Sequence, residues 1–90
     1  KIENGKLAAE ITNIFYEEGK NADVYIAQYG EKGNLLKVVK AEVGLDYLDT
    51  YQLTDSDADL TVSADTKTVG IFIWEGLAPL DGAVKIPNNQ

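Results

Sequence analysis

Asp55, Asp57 and Asp59 are the residues of this 90-residue chain whose spacing points most directly at chemistry. Asp-x-Asp-x-Asp is the spacing of the first three ligands of a calcium loop, in which alternate oxygen donors converge on one hard cation. The rest of such a loop is missing. Leu60 stands where Gly must make the sharp turn, and Thr66 stands where a bidentate Glu must close the coordination shell. An EF-hand is therefore not expected, and the three carboxylates read as a solvated acidic turn, with a weak calcium site of another shape as the alternative.

The aromatic residues offer a second chemistry, because a ring face can stack on a sugar. Tyr47 and Tyr51 are the tyrosines best placed by pattern to reach the surface, and Tyr29 reads as a core or hairpin residue. Trp74 is the only tryptophan. It lies in the apolar run Ile71, Phe72, Ile73, so we expect it to fill the gap between two sheets, with an exposed carbohydrate platform as the alternative.

Catalysis finds little to work with. The chain has no Cys, His or Met, which removes disulfides, thiol nucleophiles, imidazole bases and the common zinc and copper ligand sets. Ser56 and Ser63 have no His to activate them, and neither a Gly-x-Ser-x-Gly elbow nor a phosphate-cradling Gly-rich loop occurs. Two facing carboxylates could hydrolyse a glycoside, but nothing singles out a pair among fifteen dispersed acids. We expect no enzyme and no cofactor.

Charge narrows the partners. All eight basic residues are Lys, against fifteen acids, for a net charge of -7. Without Arg, the usual bidentate reader of phosphate and guanine, nucleic acid is not an expected partner. An acidic surface repels anionic headgroups, and no stretch approaches the eighteen apolar residues of a spanning helix, so membrane insertion is not expected.

The elements that must position these residues alternate with period two. From Lys6 to Tyr16, the residues Leu7, Ala9, Ile11 and Phe15 share one parity, as a half-buried strand requires. A polar turn over 17–21 leads to a strand from Asp23 to Tyr29 with Tyr25, Ala27 and Tyr29 on one face and Val24, Ile26 and Gln28 on the other. Both faces are fairly apolar, which places it centrally in its sheet. Gly30 to Asn34 forms a hairpin turn into a strand from Leu35 to Val43, whose core set is Leu35, Val39, Ala41 and Val43.

Over Gly44 to Thr54, Leu45, Leu48 and Tyr51 fit a helical step while Leu45, Tyr47, Tyr51 and Leu53 fit a strand step. We favour strand, with a short helical turn at Asp46 to Asp49 kept open. Leu60, Val62 and Ala64 mark another strand, and Val69 to Glu75 a central one. Gly76 to Pro79 breaks it, and Ala83 to Ile86 reads as an edge strand before Pro87.

Six or seven short strands without a long amphipathic helix predict an all-β fold, an antiparallel β-sandwich of immunoglobulin or fibronectin III kind, about seven strands in one domain over 1–90. Lacking the Cys pair of true immunoglobulin domains, it must be held by packing between sheets. The chain opens on Lys1 without an initiator Met, and we expect it to be a piece excised from a longer secreted protein.

Two stretches carry a resemblance. Ala27-Gln28-Tyr29-Gly30-Glu31-Lys32-Gly33-Asn34-Leu35 looks like the hairpin, and Phe72-Ile73-Trp74-Glu75 with Pro79-Leu80 is similar to the closing strand, of small immunoglobulin/fibronectin III-like modules. These modules recur in multidomain secreted, cell-surface and polysaccharide-acting proteins of Gram-positive bacteria. The resemblance spans roughly residues 5 to 82. It implies an extracellular or cell-surface location and an accessory role beside other domains of the same polypeptide. From it we expect a non-catalytic spacer or protein-interaction module, with a carbohydrate-binding module using Tyr47, Tyr51 or Trp74 on polysaccharide as the alternative.

Overall fold

The computed structural model describes residues 1–12, 20–75, 78–79 and 84–88. Within them the fold is all-β and antiparallel, with no helix. The chain opens on a small hairpin of β1 (Ile2–Glu3) and β2 (Lys6–Leu7). Its turn is Asn4-Gly5, with φ of 53° and 73°, the pair of left-handed residues that a type I′ hairpin requires. This Asn-Gly signal was available in the sequence and marks a hairpin that alternation alone does not reveal.

The single strand expected over Lys6 to Tyr16 is broken. After β2 the chain changes partner, and β3 (Glu10–Thr12) pairs with β6 (Thr50–Gln52). Parity survives the break, since Leu7 and Ile11 are buried and Ala9 is half-buried. Phe15, Tyr16 and most of the turn at 17–21 lie outside the described residues.

The largest sheet is built on β4 (Lys20–Tyr29), flanked by β5 (Leu35–Leu45) and β7 (Thr68–Glu75). The expected central position of β4 is the observed one. On the far side of β7, β8 (Ala78–Pro79) pairs with Trp74 and Glu75, and β9 (Val84–Pro87) pairs with Thr68 to Ile71. Pro79, expected to break the strand, thus folds back onto it as an edge partner of Trp74, a position where a missing N–H costs no interior ladder bond. Gly76, Leu77 and Ala83 lie outside the described residues.

One face of this sheet makes the core. Ala22, Val24 and Ile26 of β4, Ala41, Val43 and Leu45 of β5, and Val69 and Ile71 of β7 are buried in one cluster with Leu7, Ile11, Leu53, Leu60 and Val62 from the shorter strands and loops. Leu35, expected in this set, is instead 59% exposed. The reason is a bulge: Gln28 faces Lys37 but Tyr29 faces Leu35, so Leu36 is the extra residue and the parity of β5 flips there.

Between Leu45 and Thr50 the chain makes a tight turn, closed by the Asp49 N–H donating to the Asp46 carbonyl at 3.1 Å, and no helix forms. Leu48 sits in this turn with φ of 66°, a left-handed conformation that crowds its Cβ, and its side chain is exposed. Leu48→Asn is expected to raise stability by about 0.5–1 kcal/mol, because Asn tolerates that region and no packing is lost. A higher urea midpoint with an unchanged slope would show it; a lower midpoint would contradict it.

The strand expected at Leu60 to Ala64 is not one. Leu60 and Val62 are buried as alternation requires and Ala64 is exposed, yet only an isolated bridge joins Thr61 to Lys6. The Leu7 and Val62 N–H groups reach the Leu60 and Gly5 carbonyls at 2.9 and 2.8 Å. On its other side the segment is held by a side chain. Gln28 donates through Nε2 to the Thr61 carbonyl at 2.7 Å, and its Oε1 accepts from the Ser63 N–H at 3.1 Å and the Thr66 hydroxyl at 2.7 Å. An amide side chain here does the work of a neighbouring strand.

Candidate functional site: an aromatic groove on the outer sheet face

The face of the large sheet turned away from the core is also apolar. Alternation sends Tyr25, Ala27 and Tyr29 of β4 outward, and the matching residues of β7 are Gly70, Phe72 and Trp74. Tyr25 lies opposite Phe72, Ala27 opposite Gly70, and on the other flank Val38 and Leu35 lie opposite Ala27 and Tyr29. Together these side chains line an open groove of about 370 Å³ formed by Tyr25, Ala27, Tyr29, Leu35, Val38, Phe72 and Trp74.

The groove has depth because its middle row is small. Ala27 is buried, yet it belongs to none of the core packing, so its cover is the ring of aromatic side chains around it. Gly70 beside it has no Cβ, and one placed there would come within 3.0 Å of the Phe72 ring and 3.2 Å of the Tyr29 ring. Glycine in a central strand weakens it; here it lets two rings lie low across the sheet. At the rim, Lys85 of β9 sits opposite Gly70 and holds its Nζ 5.9 Å from the Tyr29 ring centroid, within cation–π reach.

Trp74 therefore does not fill the core. It is half-buried on the outer face, while its neighbours Ile71 and Ile73 take the inner one. Apolar neighbours in sequence gave no information on facing, since β7 is apolar on both sides. The bulge at Leu36 is what brings Leu35 to the groove, and no sequence pattern marked it.

The other candidates lie elsewhere. Tyr47, 43% exposed, sits in the turn after β5 and lines no part of the groove. Tyr51 lies opposite Ile11, is half-buried against the core, and donates its hydroxyl to both oxygens of Asp57 at 2.9 and 3.0 Å. That bond holds the phenol in place and raises its pKa, so Tyr51 is a packing residue and not an open stacking platform.

The three aspartates each have a separate partner. Asp55 takes the Lys6 ammonium at 2.6 Å, Asp57 accepts from Tyr51 and from the Thr54 N–H at 2.8 Å, and Asp59 takes the Lys37 ammonium at 2.6 Å and the Thr61 N–H at 3.0 Å. Among the described residues, no group of three or more acids is arranged to hold a metal ion. The turn is tied down by its own carboxylates.

These bonds depress two pKa values. Asp57 is lowered by the Thr54 N–H first and the Tyr51 hydroxyl next, and Asp59 by the Lys37 ammonium first and the Thr61 N–H next. A carboxyl with a folded pKa below its unfolded value stabilises the fold above the unfolded value, near 3.9, and the contribution disappears as pH falls through the folded one. Asp57→Asn is therefore expected to flatten the loss of stability as pH falls below about 4. Thermal melts across that range check it, and an acid limb as steep as that of the unmodified chain would refute it.

No protein-family model, curated protein or solved structure matches this chain.

Proposed function

We propose that this chain is a non-catalytic accessory module of a bacterial extracellular or cell-surface protein, an immunoglobulin or fibronectin III-like β-sandwich whose outer sheet face docks an apolar surface of a neighbouring polypeptide. The groove carries this reading. Its walls are two aliphatic side chains, Leu35 and Val38, and four aromatic ones. The polar atoms of its lining are two tyrosine hydroxyls and the Trp74 indole N–H, which fits an apolar protein patch better than a ligand dense in hydroxyls. The residues behind the family resemblance support the same reading, because Ala27, Tyr29, Leu35, Phe72 and Trp74, far apart in sequence, all line this groove.

A second reading, carbohydrate binding, is favoured by one observation: Trp74 lies half-exposed on the outer face beside Phe72 and Tyr25, where a ring could stack on a sugar. Because Trp74 is the only tryptophan, its fluorescence reports on the groove alone. Acrylamide quenching of Trp74 should be strong in this chain and weaker in a longer precursor with its flanking domains. Equal quenching in both would refute docking of a neighbouring domain. Saturable amide shifts at β4 and β7 on titration with N-acetylglucosamine or glucan oligosaccharides would instead establish the second reading.

A further inference from the structure

The large sheet ends on β5, and among the described residues no strand pairs with its outer edge. An unpaired edge is a template for another strand, and proteins normally protect it with proline, bulges or inward charges. Between Val38 and Gly44, among the described residues, the charge that protects this edge is a self-neutralised pair. There is no Pro, the bulge lies beyond it at Leu36, and its one lysine, Lys40, is 3.3 Å from Glu42 on the same strand. The segment also adjoins a concentration of exposed apolar side chains, Leu35, Leu36 and Val38.

The order of residues along this edge is self-complementary. An antiparallel pair of two β5 strands with its two-fold axis at Ala41 places residue 40 opposite residue 42. Lys40 then faces Glu42 of the second copy and Glu42 faces its Lys40, on the outer face shared with Tyr25 and Asp23. One step out, half-buried Val39 faces Val43, a β-branched pair on the core side. Two steps out, exposed Val38 faces Gly44, where no side chain competes for the space. Centring the axis on Val38 instead sets Lys40 opposite Leu36 and loses the charge match.

We propose that β5 is a self-association edge, on which a second copy of this chain pairs antiparallel over Val38 to Gly44 with Lys40 and Glu42 reciprocally matched across the axis. The pairing is isologous, the commonest closed symmetry, and makes one continuous sheet from two large ones. It requires no ligand in the aromatic groove, so it stands or falls apart from the docking reading.

Sedimentation equilibrium from about 10 μM to about 1 mM should show a reversible monomer–dimer equilibrium, the range expected for a small interface. Lys40→Glu or Glu42→Lys alone sets like charges opposite each other and should weaken the dimer at least about tenfold. An equimolar mixture of these two variants should associate more tightly than either alone, since every facing pair is again opposite in sign. A monomer throughout the range overturns the proposal. So does a dimer that ignores both charge changes, and one abolished by Trp74→Ala would locate the contact in the groove instead.

Discussion

Gln28→Ala is expected to lower unfolding free energy by about 2–4 kcal/mol and the melting temperature by about 10–20 °C, a large share of what a domain of this size has. The side chain is 3% exposed and makes three hydrogen bonds to the segment 61–66. Each is worth about 0.5–1.5 kcal/mol net, and losing them leaves the Thr61 carbonyl and the Ser63 N–H without their side-chain partner. The segment also carries Leu60 and Val62 into the core, so loosening it exposes apolar surface.

Gln28→Glu is the sharper test. The volume is kept, but Nε2 is replaced by an acceptor that faces the Thr61 carbonyl, so the ionised form is disfavoured and its folded pKa must rise above the ordinary value of about 4.3. With the pKa raised, the lost stability should return as pH falls towards 4 and be absent at pH 7. Urea titrations at the two pH values measure this. A variant equally stable at both would mean that the amide is not what anchors the segment.

Trp74→Ala is expected to remove at least about thirtyfold of any affinity of the groove for its partner while costing only about 1 kcal/mol of stability. The comparison that gives this meaning is Ile71→Ala, three residues away on the same strand. Ile71 is buried in the core cluster, and its truncation should cost about 2–4 kcal/mol. If Trp74→Ala proved as destabilising as a buried Trp truncation, about 3–5 kcal/mol, the outward facing of Trp74 would be wrong. The two substitutions thus test facing by stability and docking by affinity.

The acidic turn explains why a spacing can mislead. Asp55, Asp57 and Asp59 have the periodicity of ligands, but Lys6, Tyr51 and Lys37 reach them from three separate segments of the chain. Local spacing says where carboxylates are along the backbone; which cation or hydroxyl approaches each is decided by contacts 49, 6 and 22 residues away in sequence. The same holds for Tyr51, whose ring alternation put near the surface and whose hydroxyl Asp57 holds against the fold.

Alternation within the chain was enough to read it as antiparallel strands with β4 and β7 central, and to put Val24 with Ile26, Ala41 with Val43, and Ile71 with Ile73 on shared faces. Side chains two residues apart on an extended backbone must share a face, and that constraint is local. Which face of a doubly apolar strand is the interior is not local. It was fixed by the short strands and the Gln28-anchored segment closing over one side of the sheet, leaving Tyr25, Tyr29, Phe72 and Trp74 on the other. A one-residue bulge at Leu36 then completed the groove, and a bulge is set by the fit between two strands, which neither strand encodes alone.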